Sequence, residues 1–193
     1  MRSPHIASFC SITLFAIAAA SPINQPCALA QAAAPMAGKS GTSAMATPKP
    51  AAPLSTSLTL TVKDKATTFT VAELAAMPQK TVKVHNAHTN ADESYSGVLL
   101  GDLLAKAGFV ADKTTQQTML LSIVRAEGTD KYWVVYSATE VEPSEHAGDI
   151  IVAIAQDGHG LGADGNLKLI STNDKKPQRW VRNLSAISFI TVK

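Results

Sequence analysis

Apolar and polar residues alternate in two short segments in the middle of the chain. Residues 58–62 (LTLTV) and 81–85 (TVKVH) change character at every position. This period of two is typical of strands that bury one face against a core and leave the other in water. Residues 67–70 follow the first segment after a polar turn and predict a strand that returns alongside it.

Two short helices are predicted between and after these strands. Thr70 and Glu73 have the spacing of a capping box, in which the threonine side chain accepts a hydrogen bond from the Glu73 amide and the glutamate reaches back. This spacing predicts a helix over residues 71–77. Residues 99–107 carry apolar side chains at helical spacing, and Gly108 suits the left-handed position that follows a helix.

Strands dominate the prediction for the second half of the chain. The predicted strands cover residues 118–126, 131–137, 150–155, 167–171 and 186–192. Residues 150–155 form a continuous apolar run, which is typical of a central strand buried on both faces. Thr139 and Glu142 predict one further helical turn, and the glycine-rich residues 157–166 predict a loop. The pattern indicates an α+β domain, mostly β, with about seven strands in a mixed or barrel-like sheet and short inserted helices.

The N-terminal residues have the features of an export signal. Residues 6–20 form an apolar run after Arg2, and this run is too short for the roughly 20 residues of a membrane-spanning helix. The sequence Ala-Leu-Ala at residues 28–30 then has the small-x-small pattern of a signal peptidase site. Residues 1–30 are therefore predicted to be a cleavable signal peptide. We expect a periplasmic or secreted protein with no membrane span after cleavage.

Cysteine content and charge set further limits on function. The only cysteines, Cys10 and Cys27, lie in the predicted signal, so we expect no disulfide and no cysteine metal ligand after cleavage. The formal net charge is +2, which argues against a nucleic-acid-binding surface. Residues 31–57 are rich in Ala, Pro, Ser and Thr and predict a flexible linker. Residues 58–193 then have the size of one domain.

Residues 84–108 (VHNAHTNADESYSGVLLGDLLAKAG) are the part of the chain richest in motifs. They combine a strand, a polar loop, a Tyr-x-Gly-Val motif that begins at Tyr95, and a short helix closed by glycine. In this order the segment resembles the cofactor-facing part of the sulfite-oxidase-like molybdopterin-binding domains. Residues 95–104 (YSGVLLGDLL) are similar to the Trp/Tyr-x-Gly-Val-Pro-Leu-x-Asp-Leu-Leu pattern of that family.

The resemblance extends over residues 58–193. Its other parts are the helix end at Met77-Pro78, the strand and turn of residues 132–141, the motif NLKLI at residues 166–170 and the motif RWVRNL at residues 179–184. The resemblance implies a sulfite oxidase fold with a cavity for molybdopterin. In the family, a cysteine at the end of the strand supplies the soft thiolate that binds molybdenum. Asn86 stands at or next to that position here, so the chain lacks the family's ligand for molybdenum.

Basic residues near the C-terminus are candidates for holding an anionic ligand in such a cavity. Lys175, Lys176, Arg179 and Arg182 lie within eight positions, and a guanidinium can bind a phosphate in bidentate fashion. The alternative is that these side chains are solvated and that Trp180 belongs to the core. The resemblance makes a set of five residues the predicted cofactor-binding residues. They are His85, Asn86, Tyr95, Arg179 and Arg182.

His85 and His88 offer a second kind of site. Their imidazole rings, with Asp92 and Glu93 close by in the sequence, could bind zinc, copper or iron. The alternative is that His88, Asp92 and Glu93 are solvated loop residues, while His85 faces the cavity from the strand end. No serine or cysteine has a recognisable base beside it, so no catalytic residue is predicted.

Three hypotheses about function follow. The first is an exported molybdopterin-binding-domain-like protein without the metal ligand, which binds a small anionic, pterin-like ligand or a periplasmic protein partner in the cavity. The second is a periplasmic molybdopterin-dependent oxidoreductase that works without the cysteine. The third is a transition-metal-binding protein with histidine and carboxylate ligands. Because a fold does not carry an activity across a lost ligand, the first hypothesis is preferred to an enzyme.

Overall fold

The structure is a computed structural model that describes residues 52–192. The predicted signal peptide and residues 31–51 of the predicted linker lie outside the described residues. Within the described range, no helix is both long enough and apolar enough to cross a bilayer.

Ten strands and four short α-helices follow one another between residues 52 and 192. The strands are β1 (Ser57–Val62), β2 (Lys65–Thr70), β3 (Lys80–Asn86), β4 (Ala91–Leu99), β5 (Ser122–Gly128), β6 (Trp133–Ser137), β7 (Ile150–Gln156), β8 (His159–Gly160), β9 (Lys168–Ser171) and β10 (Leu184–Thr191). The helices are α1 (Val71–Ala75), α2 (Leu100–Lys106), α3 (Gln116–Leu120) and α4 (Ala138–Val141). Two 3-10 helices, Gly162–Asp164 and Pro177–Arg179, flank β9.

The strands form two five-stranded sheets. The first has the order β2-β1-β10-β5-β6, with β1 and β10 parallel and the other pairs antiparallel. The second has the order β3-β4-β7-β8, and β9 also pairs with β7. Leu58 and Leu60 of the first sheet and Val152 and Leu169 of the second belong to one buried cluster. The two sheets therefore share a hydrophobic core.

The helix ends follow the local sequence closely. Thr70 and Glu73 form the predicted capping box at α1, and Gly108 follows α2 with a φ of +99°. Several predicted element positions were wrong in detail. Residues 116–120 form α3, so the predicted strand at residues 118–126 is confirmed only from residue 122. The capping box of α4 joins Ser137 to Glu140, two residues earlier than the predicted start at Thr139.

A glycine allows β4 and β7 to pack closely beside the site described below. A Cβ at Gly97 would collide with the backbone of Val152 and Ala153 on the neighbouring strand. The pairing of β4 with β7 also shifts register between Ser96 and Gly97, which is the mark of a β-bulge. The Tyr-x-Gly-Val motif thus has a structural role, since only glycine leaves room for this approach.

The predicted fold class is confirmed. The described residues form an α+β domain that is mostly β, with mixed sheets and short helices inserted between strands. Its strands form two open sheets and, within the described residues, no closed barrel.

Candidate functional site

A cleft of about 850 Å³ opens at the end of β3. Its walls come from the β3–β4 turn, from β4, from the 3-10 helix Gly162–Asp164, from the first residue of β9 and from the segment around Pro177–Arg179. Clefts of roughly 300–1,000 Å³ are the usual size for sites that bind small molecules. The cleft is therefore large enough for a cofactor-sized organic ligand.

Strand alternation decides which residue at the end of β3 reaches the cleft. Val82, Val84 and Asn86 are buried on one face, and Asn86 lines the cleft. His85 lies on the opposite face with 58% of its side chain exposed, where its Nδ1 is 2.8 Å from Asp92 Oδ1. The structure thus brings Asn86 to the cleft and does not bring His85 there.

A buried carboxylate lies directly behind Asn86. Glu93 is only 8% exposed, and its two carboxylate oxygens accept hydrogen bonds from three side chains. Asn86 Nδ2 lies 3.0 Å from both oxygens, Thr89 Oγ1 donates at 2.9 Å and the Tyr95 hydroxyl donates at 2.7 Å. Asn86 is held at its other end as well, since its Oδ1 accepts the His88 amide at 3.0 Å. Every polar atom of the Asn86 side chain is therefore used within the protein.

This hydrogen bonding fixes the charge at the floor of the cleft. Burial alone would raise the pKa of the Glu93 carboxyl, but the hydrogen bonds from Tyr95, Asn86 and Thr89 and the charge of Lys168 outweigh it and hold that pKa below its ordinary value. Burial and the hydrogen bond to Glu93 raise the pKa of the Tyr95 hydroxyl. At neutral pH Glu93 is therefore an anion and Tyr95 a neutral donor.

Lys168 supplies the balancing positive charge. The residue is 4% exposed, and its Nζ donates to the Tyr95 hydroxyl at 2.8 Å and to Asp164 Oδ2 at 2.6 Å. The ammonium also lies over two aromatic rings, 4.6 Å from the centroid of Tyr95 and 5.4 Å from that of Trp180. Glu93, Tyr95, Lys168 and Asp164 thus form one connected polar chain along the floor of the cleft.

The structure separates the residues of the predicted metal site. His88 and Glu93 line the cleft, whereas His85 and Asp92 pair on the outer face of β3 and β4. Within residues 52–192, no three His, Cys, Asp or Glu side chains come together in a way that could hold a metal ion. The local structure therefore gives no support to a site built from His85 and His88.

Arg179 has partners outside the cleft. Its guanidinium contacts both Asp174, with Nη2–Oδ1 at 2.5 Å, and Glu140, with Nη1–Oε2 at 3.0 Å. It also lies 4.4 Å above the centroid of the Tyr136 ring. Arg182, in contrast, lines the cleft with 69% of its side chain exposed. The structure thus brings Asn86, Tyr95 and Arg182 together and places Arg179 in an ion-pair cluster that joins α4 to the segment after β9.

Replacing Arg179 by alanine is expected to lower the free energy of unfolding by about 1–3 kcal/mol, because it removes several charge-assisted hydrogen bonds. Chemical denaturation measures this loss. Arg182→Ala is the matched control, and we expect it to change the free energy of unfolding by less than about 0.5 kcal/mol, since its side chain is mostly exposed. A loss of ligand binding without a loss of stability in Arg179→Ala would instead place Arg179 in the binding site.

Three residues of the site were not among the predicted binding residues. The sequence predicts Glu93 only as a loop residue or metal ligand, and it predicts no role in the site for Lys168 or Asp164. The only sequence signal for Lys168 is its position between Leu167 and Leu169 in an apolar strand, where a charge is rarely buried without a partner. That signal predicts a buried ion pair but does not reveal its partner.

Comparison with known proteins agrees with the fold. No protein-family model matches the chain, and no curated protein matches it. Among solved structures, the chain is similar to the sulfane dehydrogenase SoxCD from Paracoccus pantotrophus, with a TM-score of 0.56 and 18% sequence identity. The match covers 72% of this chain and 40% of the SoxCD chain. This likeness shows a fold of the molybdopterin-oxidoreductase type, as expected from the resemblance to the sulfite-oxidase-like domains.

The residues at the strand end do not fit a molybdenum centre held by the protein. By the resemblance, Asn86 stands at or next to the position where the family has its thiolate, and its amide is a hard donor that is already bonded to Glu93 and His88. The Glu93 carboxylate lies directly behind this amide and is already hydrogen-bonded to Asn86, Thr89 and Tyr95. The size of the cleft and the basic side chains on its walls nevertheless suit the organic part of such a cofactor.

Proposed function

We propose that this chain is an exported, molybdopterin-domain-like binding protein that holds a small organic anion, pterin-like in size and shape, without a protein-bound metal. The observation that carries the proposal is the closed Asn86–Glu93 hydrogen-bond arrangement at the strand end. It supports a cleft floor that is complete without a metal. The likeness in fold to a sulfane dehydrogenase supports the same class of domain.

Two cations on the wall of the cleft support an anionic ligand. Glu93 already accepts hydrogen bonds from three side chains, and Asp130 accepts the Tyr132 amide at 3.0 Å. On the basic side, Lys176 and Arg182 line the wall, and Arg182 has only a 3.8 Å contact with an acidic group. The lining holds three carboxylates, those of Glu93, Asp130 and Asp164, and three basic groups, those of Lys168, Lys176 and Arg182. The charges balance overall, and the two wall cations, Lys176 and Arg182, are the groups that we propose an anionic ligand contacts. A guanidinium is well suited to bind a carboxylate or phosphate.

Fluorescence of Trp180 offers a direct test of binding. The chain has two tryptophans; Trp180 lines the cleft and is 5% exposed, whereas Trp133 is 54% exposed. A Trp133→Phe variant therefore reports on the cleft alone. Titration with pterin-6-carboxylate is expected to quench Trp180 to saturation, and 6-methylpterin, which lacks the carboxylate, is expected to bind at least about tenfold more weakly.

Arg182→Ala in the same Trp133→Phe background is the variant control. We expect about tenfold weaker binding of pterin-6-carboxylate and little change for 6-methylpterin, because only the charged contact is lost. If pterin-6-carboxylate produces no saturable quenching, or if both variants bind it equally, the proposed anionic ligand is contradicted.

Export is a separate part of the proposal and rests on the pattern of residues 1–30. Expression of the full chain in a Gram-negative host is expected to give a periplasmic protein whose N-terminal sequence begins at Gln31. An uncleaved protein in the cytoplasmic fraction would contradict this part and leave the binding proposal intact.

A further inference from the structure

Asp164 contacts two cations that line the cleft. Its Oδ2 is 2.6 Å from Lys168 Nζ at the floor, and its Oδ1 is 3.8 Å from Arg182 Nη1 at the wall. Each carboxylate oxygen thus faces a different positive charge. An oxyanion group of a ligand would make the same two contacts in the same place.

We propose that the Asp164 carboxylate is an internal competitor for an anion subsite formed by Lys168 and Arg182, and that a carboxylate or phosphate group of the ligand displaces it. The inference rests on the proposed function, since it assumes an anionic ligand in this cleft. The inference specifies where the charged group of the ligand would bind, and it names Asp164 as the residue that sets the affinity for that group.

The backbone around Asp164 is held in place, so displacement requires only a rotation of the side chain. The Asp164 amide donates to Leu161 O at 3.1 Å, and its carbonyl accepts the Asn183 amide at 2.9 Å. Gly162 and Gly165 on either side have φ values of +58° and +95°, a conformation that glycine adopts without strain. The turn therefore keeps its shape while the carboxylate moves.

The Asp164 and Lys168 side chains differ in exposure, so Asp164 is the partner that can leave their ion pair. The Asp164 side chain is 22% exposed and can reach water, whereas the Lys168 side chain is 6% exposed and stays at the floor. After Asp164 leaves, Lys168 keeps its hydrogen bond to the Tyr95 hydroxyl and, through it, the nearby charge of Glu93. The buried ammonium is thus never without a partner, which removes the main penalty for opening a buried ion pair.

Neutralising Asp164 tests the proposal, with inorganic phosphate as the probe. Wild type and Asp164→Asn are titrated with phosphate at constant ionic strength, and the dissociation constant is taken from the amide NMR shifts of the residues that line the cleft. We expect Asp164→Asn to bind phosphate at least about tenfold more tightly, because a competing charge at contact distance has been removed. Asp164→Ser is the second variant and is expected to bind at least as tightly as Asp164→Asn.

Asp130→Asn is the matched control, because it removes the same charge from another wall of the same cleft. We expect a gain of about twofold or less, since a more distant charge is screened by solvent. Equal binding by wild type and both Asp164 variants would overturn the proposal, and so would an equal gain in Asp130→Asn. If no protein binds phosphate, the subsite is also refuted. In each of these cases, saturable binding of pterin-6-carboxylate by wild type would show that the proposed function survives the failure of the subsite.

Discussion

Glu93→Gln is expected to lower the free energy of unfolding by about 2–4 kcal/mol at neutral pH. The substitution keeps the size of the side chain, so it opens no cavity. It removes the charge that faces Lys168 through Tyr95, and it puts an amide nitrogen where the carboxylate accepted hydrogen bonds from Asn86, Thr89 and Tyr95. At least one buried donor then loses its acceptor, and that loss costs more than the hydrogen bond contributed.

Asp92→Asn is the control for this variant, because it changes the neighbouring residue of the same strand in the same way. Asp92 is 87% exposed and points to the opposite face, so we expect a change of less than about 0.5 kcal/mol. Urea denaturation of both variants gives the comparison. Similar small losses in the two variants would mean that the Glu93 hydrogen bonds do not stabilise the fold.

The effect of Glu93→Gln also has a defined dependence on pH. The pKa of Glu93 is lowered in the folded protein, so its contribution is fully present above the ordinary glutamate value of about 4.3. It is lost as the pH falls through the folded value. The difference in stability between wild type and Glu93→Gln should therefore be constant between pH 6 and 7 and shrink below about pH 4.

Lys168→Met is expected to lower the free energy of unfolding by about 2–3 kcal/mol and to abolish binding of an anionic ligand. Methionine has a similar length and fills the space between the Tyr95 and Trp180 rings, so the loss comes from the charge. Tyr95 keeps its hydrogen bond to Glu93, but the buried Glu93 carboxylate loses its nearest positive charge. Because Asp164 is partly exposed, water can solvate its carboxylate once Lys168 is replaced, and this limits the loss of stability.

Lys83→Met is the control for Lys168→Met. Lys83 is exposed on the outer face of β3, so we expect a change in stability of less than about 0.5 kcal/mol and unaltered binding of pterin-6-carboxylate. If Lys168→Met is as stable as wild type and binds pterin-6-carboxylate equally well, Lys168 is neither a structural counterion nor part of the site.

The fold could be predicted from the sequence wherever apolar residues set the strand period. β1 and β3 alternate cleanly, and β7 is a continuous apolar run, so all three were placed within one or two residues. The capping box at α1 and the glycine after α2 fixed two helix boundaries, because these signals act through local hydrogen bonds and backbone conformation.

Strand β4, which carries Glu93 and Tyr95, could not be predicted from the sequence, and the reason is physical. β4 has Glu93, Tyr95 and Gly97 on its buried face, so a search for apolar alternation finds a polar loop there. Asn86, seven residues earlier in the chain, reaches the Glu93 carboxylate because it pairs with Ala91, two positions before Glu93 on β4. That pairing register exists only in the folded sheet.

The different roles of Arg179 and Arg182 could not be predicted from the sequence either. Arg179 and Arg182 are three positions apart and looked equivalent in the sequence. Arg179 is held by Asp174 and Glu140, of which the latter lies 39 positions away in the chain, while Arg182 faces the cleft. Which of two nearby arginines reaches a ligand depends on such distant partners, and residue types and spacing do not contain that information.

The most direct measurement for the central claim is the molybdenum and pterin content of the mature protein purified from a host that makes molybdopterin. The Asn86–Glu93 arrangement leads us to expect less than about 0.1 molybdenum per chain by elemental analysis, since no thiolate is available to hold the metal. An organic anion, identified by mass spectrometry after denaturation, is expected near one per chain. Molybdenum and pterin together near one per chain would contradict the account and support an oxidoreductase that holds its metal by the dithiolene alone.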